Sequence, residues 1–169
     1  MRSADLLADA FGRIREVVHE AVDGLPADRL VMRPDGQANS IAWLIWHLTR
    51  VQDDHVADAA GSEQAWMAGG WAARFALPLD VADTGYGHRP DDVAAVRVAS
   101  GELLTGYHDA VFEQTTRYVR GLADADLDRV VDKRWDPPVT LGVRLVSVIS
   151  DDLQHAGQAV YLRGLGDLA

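Results

Sequence analysis

The chain has 169 residues, 48% of them hydrophobic and 25% charged, with a formal net charge of −10 and no cysteine. That length suits one domain, residues 1–169, with a sizeable core; the acidity argues against nucleic-acid binding, and disulfides are excluded. No apolar run is long enough to span a membrane, and the charged start MRSADLLADAFGRIREVV lacks the apolar core of a signal peptide, so a cytoplasmic protein without membrane partners is expected.

The first helical pattern runs from about Ser3 to Val22, where Leu6, Leu7, Ala10, Ile14, Val17, Val18 and Ala21 recur at three- and four-residue steps. Ser3 is its expected N-cap, with Asp5 in the first turn. DGLPADRL breaks the pattern through Gly24 and Pro26. The second helix is expected from Asn39 or Ser40 to about Ala60. It begins with IAWLIWHL, apolar all round except for His47, which is the signature of a helix buried on most of its surface. From Gly61 to Arg89 the periodicity fails: the stretch holds five glycines, one proline and two tryptophans. A short helix around Gly70–Phe75 is expected inside it. So long a connection reads as a crossover that packs on the bundle or covers a site. Pro90, followed by Asp91 and Asp92, starts the third helix, whose stripe runs through Val93, Val96, Leu103, Leu104, Tyr107, Val111, Tyr118, Val119 and Leu122. GLADADLDRVVDKRWDPPV follows as turn and loop. Thr140 caps a fourth helix that runs to about Gly164. Four helices, one long crossover between the second and third, and no convincing strand predict an all-α four-helix bundle.

The fourth helix contains SDDLQHAGQAVYLRGL, with Asp151 and His155 four residues apart and Gln158 three further on. Positions i and i+4 share a helix face, so a carboxylate and an imidazole can address one ion there. Gln158 continues that face and is a candidate to orient a bound ligand. A third metal ligand must come from a facing helix, and His47, the lone polar residue of its octet, is the candidate. Two imidazoles and one carboxylate suit Zn²⁺ first, with Ni²⁺, Fe²⁺ or Mn²⁺ as alternatives. Three protein ligands leave a position open for chemistry. The competing reading is plainer: an Asp–His pair on a solvated face, and a core histidine bonded to a backbone carbonyl. Asp54 is a weaker candidate to orient a histidine ligand, against a solvated helix end shared with His55. DTGYGH (83–88) lacks the Lys and Ser/Thr of a phosphate loop; it reads first as a tight turn, with Tyr86 and His88 reaching the site from the crossover as the alternative. His19 and His108 have no partner at ligand spacing. Trp43, Trp46, Trp66, Trp71 and Trp135 read as core or interface anchors.

Two of these segments carry a resemblance. WLIWHLTRVQDDHV (43–56) resembles the second-helix motif of the DinB-like superfamily, which includes mycothiol-dependent maleylpyruvate isomerase and uncharacterised actinobacterial domains. DDLQHAGQAVYLRG (151–164) resembles that superfamily's last-helix motif, His-x-x-x-His-x-Gly-Gln, and the lead-in PPVTLGVRLVSVI is similar to the uncharacterised group. The resemblance covers essentially the whole chain in helix order and length. It implies a four-helix bundle with a three-ligand metal site, in which His47 matches the second-helix histidine and His155 the final one before Gly157-Gln158. Asp151 stands where the superfamily has His, or Glu in the isomerase branch. This side chain is one methylene shorter than glutamate, so either an ion sits nearer the fourth helix or the carboxylate falls short of it.

The resemblance further implies a transferase or isomerase that uses mycothiol or a similar low-molecular-weight thiol as cosubstrate. A divalent ion with one Asp and two neutral His keeps about one positive charge, which a thiolate would neutralise, and a bound metal holds a thiol as thiolate. Two rivals stay open: a metal-dependent hydrolase with the same ligands, and a non-catalytic, stress-related or homodimeric binding protein with a vestigial site.

Overall fold

A computed structural model describes residues 1–166, so the last three positions of the expected 1–169 domain lie outside the described residues. In chain order it holds α1 (Ser3–Val22), α2 (Ala27–Val31), α3 (Ile41–Ala60), α4 (Ala65–Ala68), α5 (Trp71–Phe75), α6 (Pro90–Ala95), α7 (Gly101–Arg120), a 3-10 turn (Asp124–Asp128), β1 (Val130–Asp132), β2 (Val139–Thr140) and α8 (Leu141–Gly166). The four long helices form the bundle. α3 packs on α7 and α8, and α1 packs on the same two, so α1 and α3 lie on one diagonal and α7 and α8 on the other.

α3 is the most enclosed of the four. Every residue from 41 to 53 is buried, as its all-round apolar start requires. Complete burial of Leu44, Ile45 and Leu48 contributes about 1.5–3 kcal/mol per side chain before entropy is counted. Ser40 Oγ accepts the Trp43 N–H at 3.1 Å and caps the helix start. Gly61, at φ 65°, ends it in the left-handed region.

Several local expectations need correction. Ser3 lies inside α1; the flanking residue is Arg2, whose N–H donates to the Asp5 carboxylate at 3.1 Å. The DGLPADRL break contains α2, and the crossover contains α4 besides the expected short helix, which spans Trp71–Phe75. The helix that Pro90 starts is only α6: it stops at Val96, and the long third helix begins at Gly101. Between them VRVAS is neither helix nor strand and bends at Ala99, with Val96 and Val98 buried and Arg97 and Ala99 exposed. That period-two alternation of β-branched residues outweighs the helical spacing. Gly101 lets α7 start against the end of α1, since a Cβ there would stand 3.1 Å from the Val22 carbonyl oxygen. A two-stranded antiparallel ribbon, β1 with β2, occupies the expected strandless loop. It is held by Asp132, whose carboxylate accepts from Arg134 at 2.8 Å and Arg144 at 3.0 Å. Trp135, expected as an anchor, is 65% exposed.

The crossover is pinned to α3 by a buried polar network. Asp53 accepts the backbone N–H groups of Ala65 and Trp66 and the Tyr107 hydroxyl, at 2.8 to 2.9 Å. Arg50, 1% exposed, donates from Nε to the Asp83 carbonyl at 3.1 Å and from Nη1 to Gln64 Oε1 at 2.8 Å. The guanidinium also lies over the Trp66 ring at 4.9 Å. One end of the crossover is therefore held at 64–66 and the other at Asp83. Among the described residues no helix is long and apolar enough to cross a membrane.

Candidate metal centre

α3 and α8 bring His47, Asp151 and His155 together: one candidate ligand atom from each lies within 4.8 Å of the others. His47 is 4% exposed. Its Nδ1–H donates to the Thr84 carbonyl, which can only accept, so Nε2 keeps its lone pair and is the atom free for an ion. Burial is the main force pulling the His47 ring below the ordinary histidine value; His155 adds to it, while the Thr84 carbonyl and Asp151 oppose it. The ring is therefore neutral at neutral pH, as a ligand must be.

Asp151 and His155 follow one another by a turn of α8, with Asp151 Oδ1 3.6 Å from His155 Nε2. The other carboxylate oxygen, Asp151 Oδ2, is buried with no hydrogen-bond partner in the protein. An orphaned carboxylate oxygen beside two imidazoles costs free energy unless something cationic is supplied. The donor set and this orphan fit a divalent ion. Gln158, exposed on the same helix, places Oε1 3.3 Å from His155 Nδ1. The contact suits an Nδ1–H donor and leaves His155 Nε2 on the side of Asp151.

The crossover encloses His47 from the opposite side. Gly85, at φ +95°, lies so close that a Cβ would stand 2.5 Å from His47 Nδ1. Glycine is required there both for its backbone and for its missing side chain. The Trp43 indole stacks on the His47 ring, with centroids 4.5 Å apart and planes 15° from parallel. Tyr86, 63% exposed between Gly85 and Gly87, meets His47 edge-on at 5.5 Å. The segment read as a tight turn is thus also a wall of the site, and Trp43 is a site residue as well as a core one. The two glycines flanking an aromatic in DTGYGH were the available signal.

The other candidates lie elsewhere. Asp54 accepts from Gln64 Nε2 at 2.8 Å and orients none of the three convergent residues. His55 rests against Arg144, whose Nη1 is 3.2 Å from His55 Nδ1. His19 pairs with Asp109 at 2.8 Å, and His108 with Thr49 at 3.2 Å.

The mycothiol-S-transferase family model matches residues 6–167. The chain is also similar to a solved structure, a conserved protein from Enterococcus faecalis, with 34% identity, a TM-score of 0.90 and 96% of each chain covered. No curated protein matches. The helix order, the crossover and the match over nearly the whole chain lead to one statement of kinship: the chain belongs to the mycothiol-S-transferase family of DinB-like four-helix bundles.

Proposed function

We propose that the protein is a metal-dependent S-transferase in which His47, Asp151 and His155 hold one divalent cation, zinc first among candidates. The cosubstrate is a low-molecular-weight thiol of the mycothiol kind, and the second substrate is a small electrophile. The observation that carries this reading is the orphaned Asp151 Oδ2 beside two imidazoles whose remaining nitrogens are engaged elsewhere. When bound, such an ion supplies a Lewis acid that keeps a thiol in its thiolate form at neutral pH.

The chain's own residues do the rest. Two neutral histidines and one carboxylate leave a divalent ion about one positive charge, which matches a single thiolate. Thr84 and Gln158 hold the two imidazoles in the tautomers that turn Nε2 inward. Tyr86, exposed and edge-on to His47, lines the mouth with aromatic surface that limits water around the sulfur, and the buried Trp43 backs the His47 ring. Gln158, exposed at the same mouth, is placed to donate from its amide to the polar part of the thiol. The absence of cysteine means that no internal thiol competes for the ion. A reaction that consumes a free thiol also entails a reducing compartment, the cytoplasm.

The test is zinc titration of the chelator-treated protein, followed by loss of a model electrophile with and without added thiol. Stoichiometric zinc binding, weakened in Asp151→Asn, together with thiol-dependent loss of the electrophile is expected. Loss of the electrophile without thiol would mean hydrolysis instead. Equal zinc binding by wild type and Asp151→Asn would remove Asp151 from the site.

A further inference from the structure

A chain of hydrogen bonds in the crossover ends at the Trp43 indole, which stacks on His47 at 4.5 Å and meets the edge of His155 at 6.1 Å. Trp43 Nε1–H can only donate, and it gives its hydrogen bond to His88 Nδ1 at 3.0 Å. His88 Nδ1 is therefore the bare ring nitrogen. Nε2 carries the hydrogen, which goes to Asp83 Oδ2 at 2.9 Å. Asp83 is itself fixed twice: Oδ1 accepts the Gly85 N–H at 2.8 Å, and its carbonyl accepts from buried Arg50 at 3.1 Å. The His88 side chain is 6% exposed and stacks on Trp46, with centroids 5.8 Å apart and planes 18° from parallel.

The tether at Cβ and the hydrogen bond to Thr84 hold one edge of the His47 ring, and Trp43, Tyr86 and His155 pack around the rest. Of these neighbours the Trp43 indole is the one that lies flat on the ring and so sets its tilt. Core packing confines the Trp43 indole, and the acceptor for its N–H fixes the tilt that packing leaves open. His88 is that acceptor.

We propose that His88, oriented by Asp83, is a positioning residue for the metal centre. It locks the Trp43 indole, and the locked indole keeps His47 Nε2 aimed at Asp151 and His155. The proposal rests on reading those three residues as a divalent-cation site. His88 touches neither the ion nor a ligand to it; it acts through Trp43.

The experiment measures the zinc dissociation constant by competition with a chromophoric chelator, alongside the melting temperature of each metal-free protein. His88→Phe keeps the stack on Trp46 but cannot accept from Trp43. It should weaken zinc binding roughly tenfold, the lower end of what an outer partner of a ligand is worth. In His88→Gln the amide oxygen can accept from Trp43 and the amide nitrogen can donate to Asp83, so zinc affinity should return to near that of wild type. Trp43→Phe removes the same hydrogen bond from its other end and should weaken zinc in the same direction. The double variant His88→Phe/Trp43→Phe should lose less than the two single losses combined, because one chain is cut twice. A His88→Phe protein that melts lower but binds zinc as tightly as wild type would overturn the positioning role and leave the metal site standing. A wild-type protein that binds no zinc would overturn both.

Discussion

His47, at 4% exposure, and His108, at 0%, are both buried as whole residues, and they differ in what surrounds the second ring nitrogen. Thr49 gives its own hydrogen to the Ile45 carbonyl, so His108 Nδ1–H donates to Thr49 Oγ1 and Nε2 is left as a lone pair in the core. His47 has the same plan, an Nδ1–H engaged by oxygen and a free Nε2, but there the free nitrogen faces a second imidazole and an orphaned carboxylate. Burial and a missing hydrogen-bond partner are therefore common to a packed histidine and a candidate ligand. What separates them is the negative charge and the convergence of further lone pairs.

The comparison breaks first on metal affinity. His47→Ala should reduce zinc affinity by well over the ~100-fold that an outer partner contributes, while His108→Phe should leave it unchanged; zinc titration of both variants checks this. A loss in His108→Phe would mean that the two histidines are not distinct in kind.

Acid stability should single out the other histidine. Burial pulls His108 from the ordinary value of 6.5 to about 4. Its folded pKa lies below its unfolded one, so its stabilising share is complete above pH 6.5 and is lost as pH falls towards 4, where only the unfolded chain takes up the proton. The full loss is on the order of 3 kcal/mol. Denaturant unfolding at pH 7 and pH 4.5 should show it in wild type and show a flatter profile in His108→Phe.

A smaller effect sharpens the contrast at the wall of the site. Gly85 and Gly87 both have positive φ, +95° and +73°, but an added Cβ meets the His47 ring at 2.5 Å only at Gly85 and nothing within 4 Å at Gly87. Each Gly→Ala change should cost about 1–2 kcal/mol of stability through the backbone. Only Gly85→Ala should also lower zinc affinity, which the same titration would read.

The bundle was legible because its helices bury one face, or in α3 every face, and periodicity reports burial. The same periodicity concealed the break before α7: Val93, Val96 and Leu103 fit a helical stripe, although Val96 and Val98 are buried by an irregular, non-helical segment. Convergence of His47, Asp151 and His155 was readable from a four-residue step and one polar residue in an apolar octet. The Trp43–His88–Asp83 chain and the Thr84 carbonyl were not. They depend on the path of an aperiodic backbone, and a carbonyl oxygen leaves no mark on residue identity.

The anchoring of the crossover bears on how relatives of this chain can vary in length. Its early part is tied down where Asp53 grips the amides of Ala65 and Trp66, and its late part where Arg50 grips the Asp83 carbonyl. A residue inserted between Asp83 and His88 would carry Thr84, Gly85 or His88 out of register with α3, and one near 64–66 would displace the amides held by Asp53. The exposed positions Ala76, Pro78 and Asp80 lie between the two anchors, so insertions and deletions that this architecture tolerates should collect in that bend, leaving the rest of the connection as constant in length as the helices it joins.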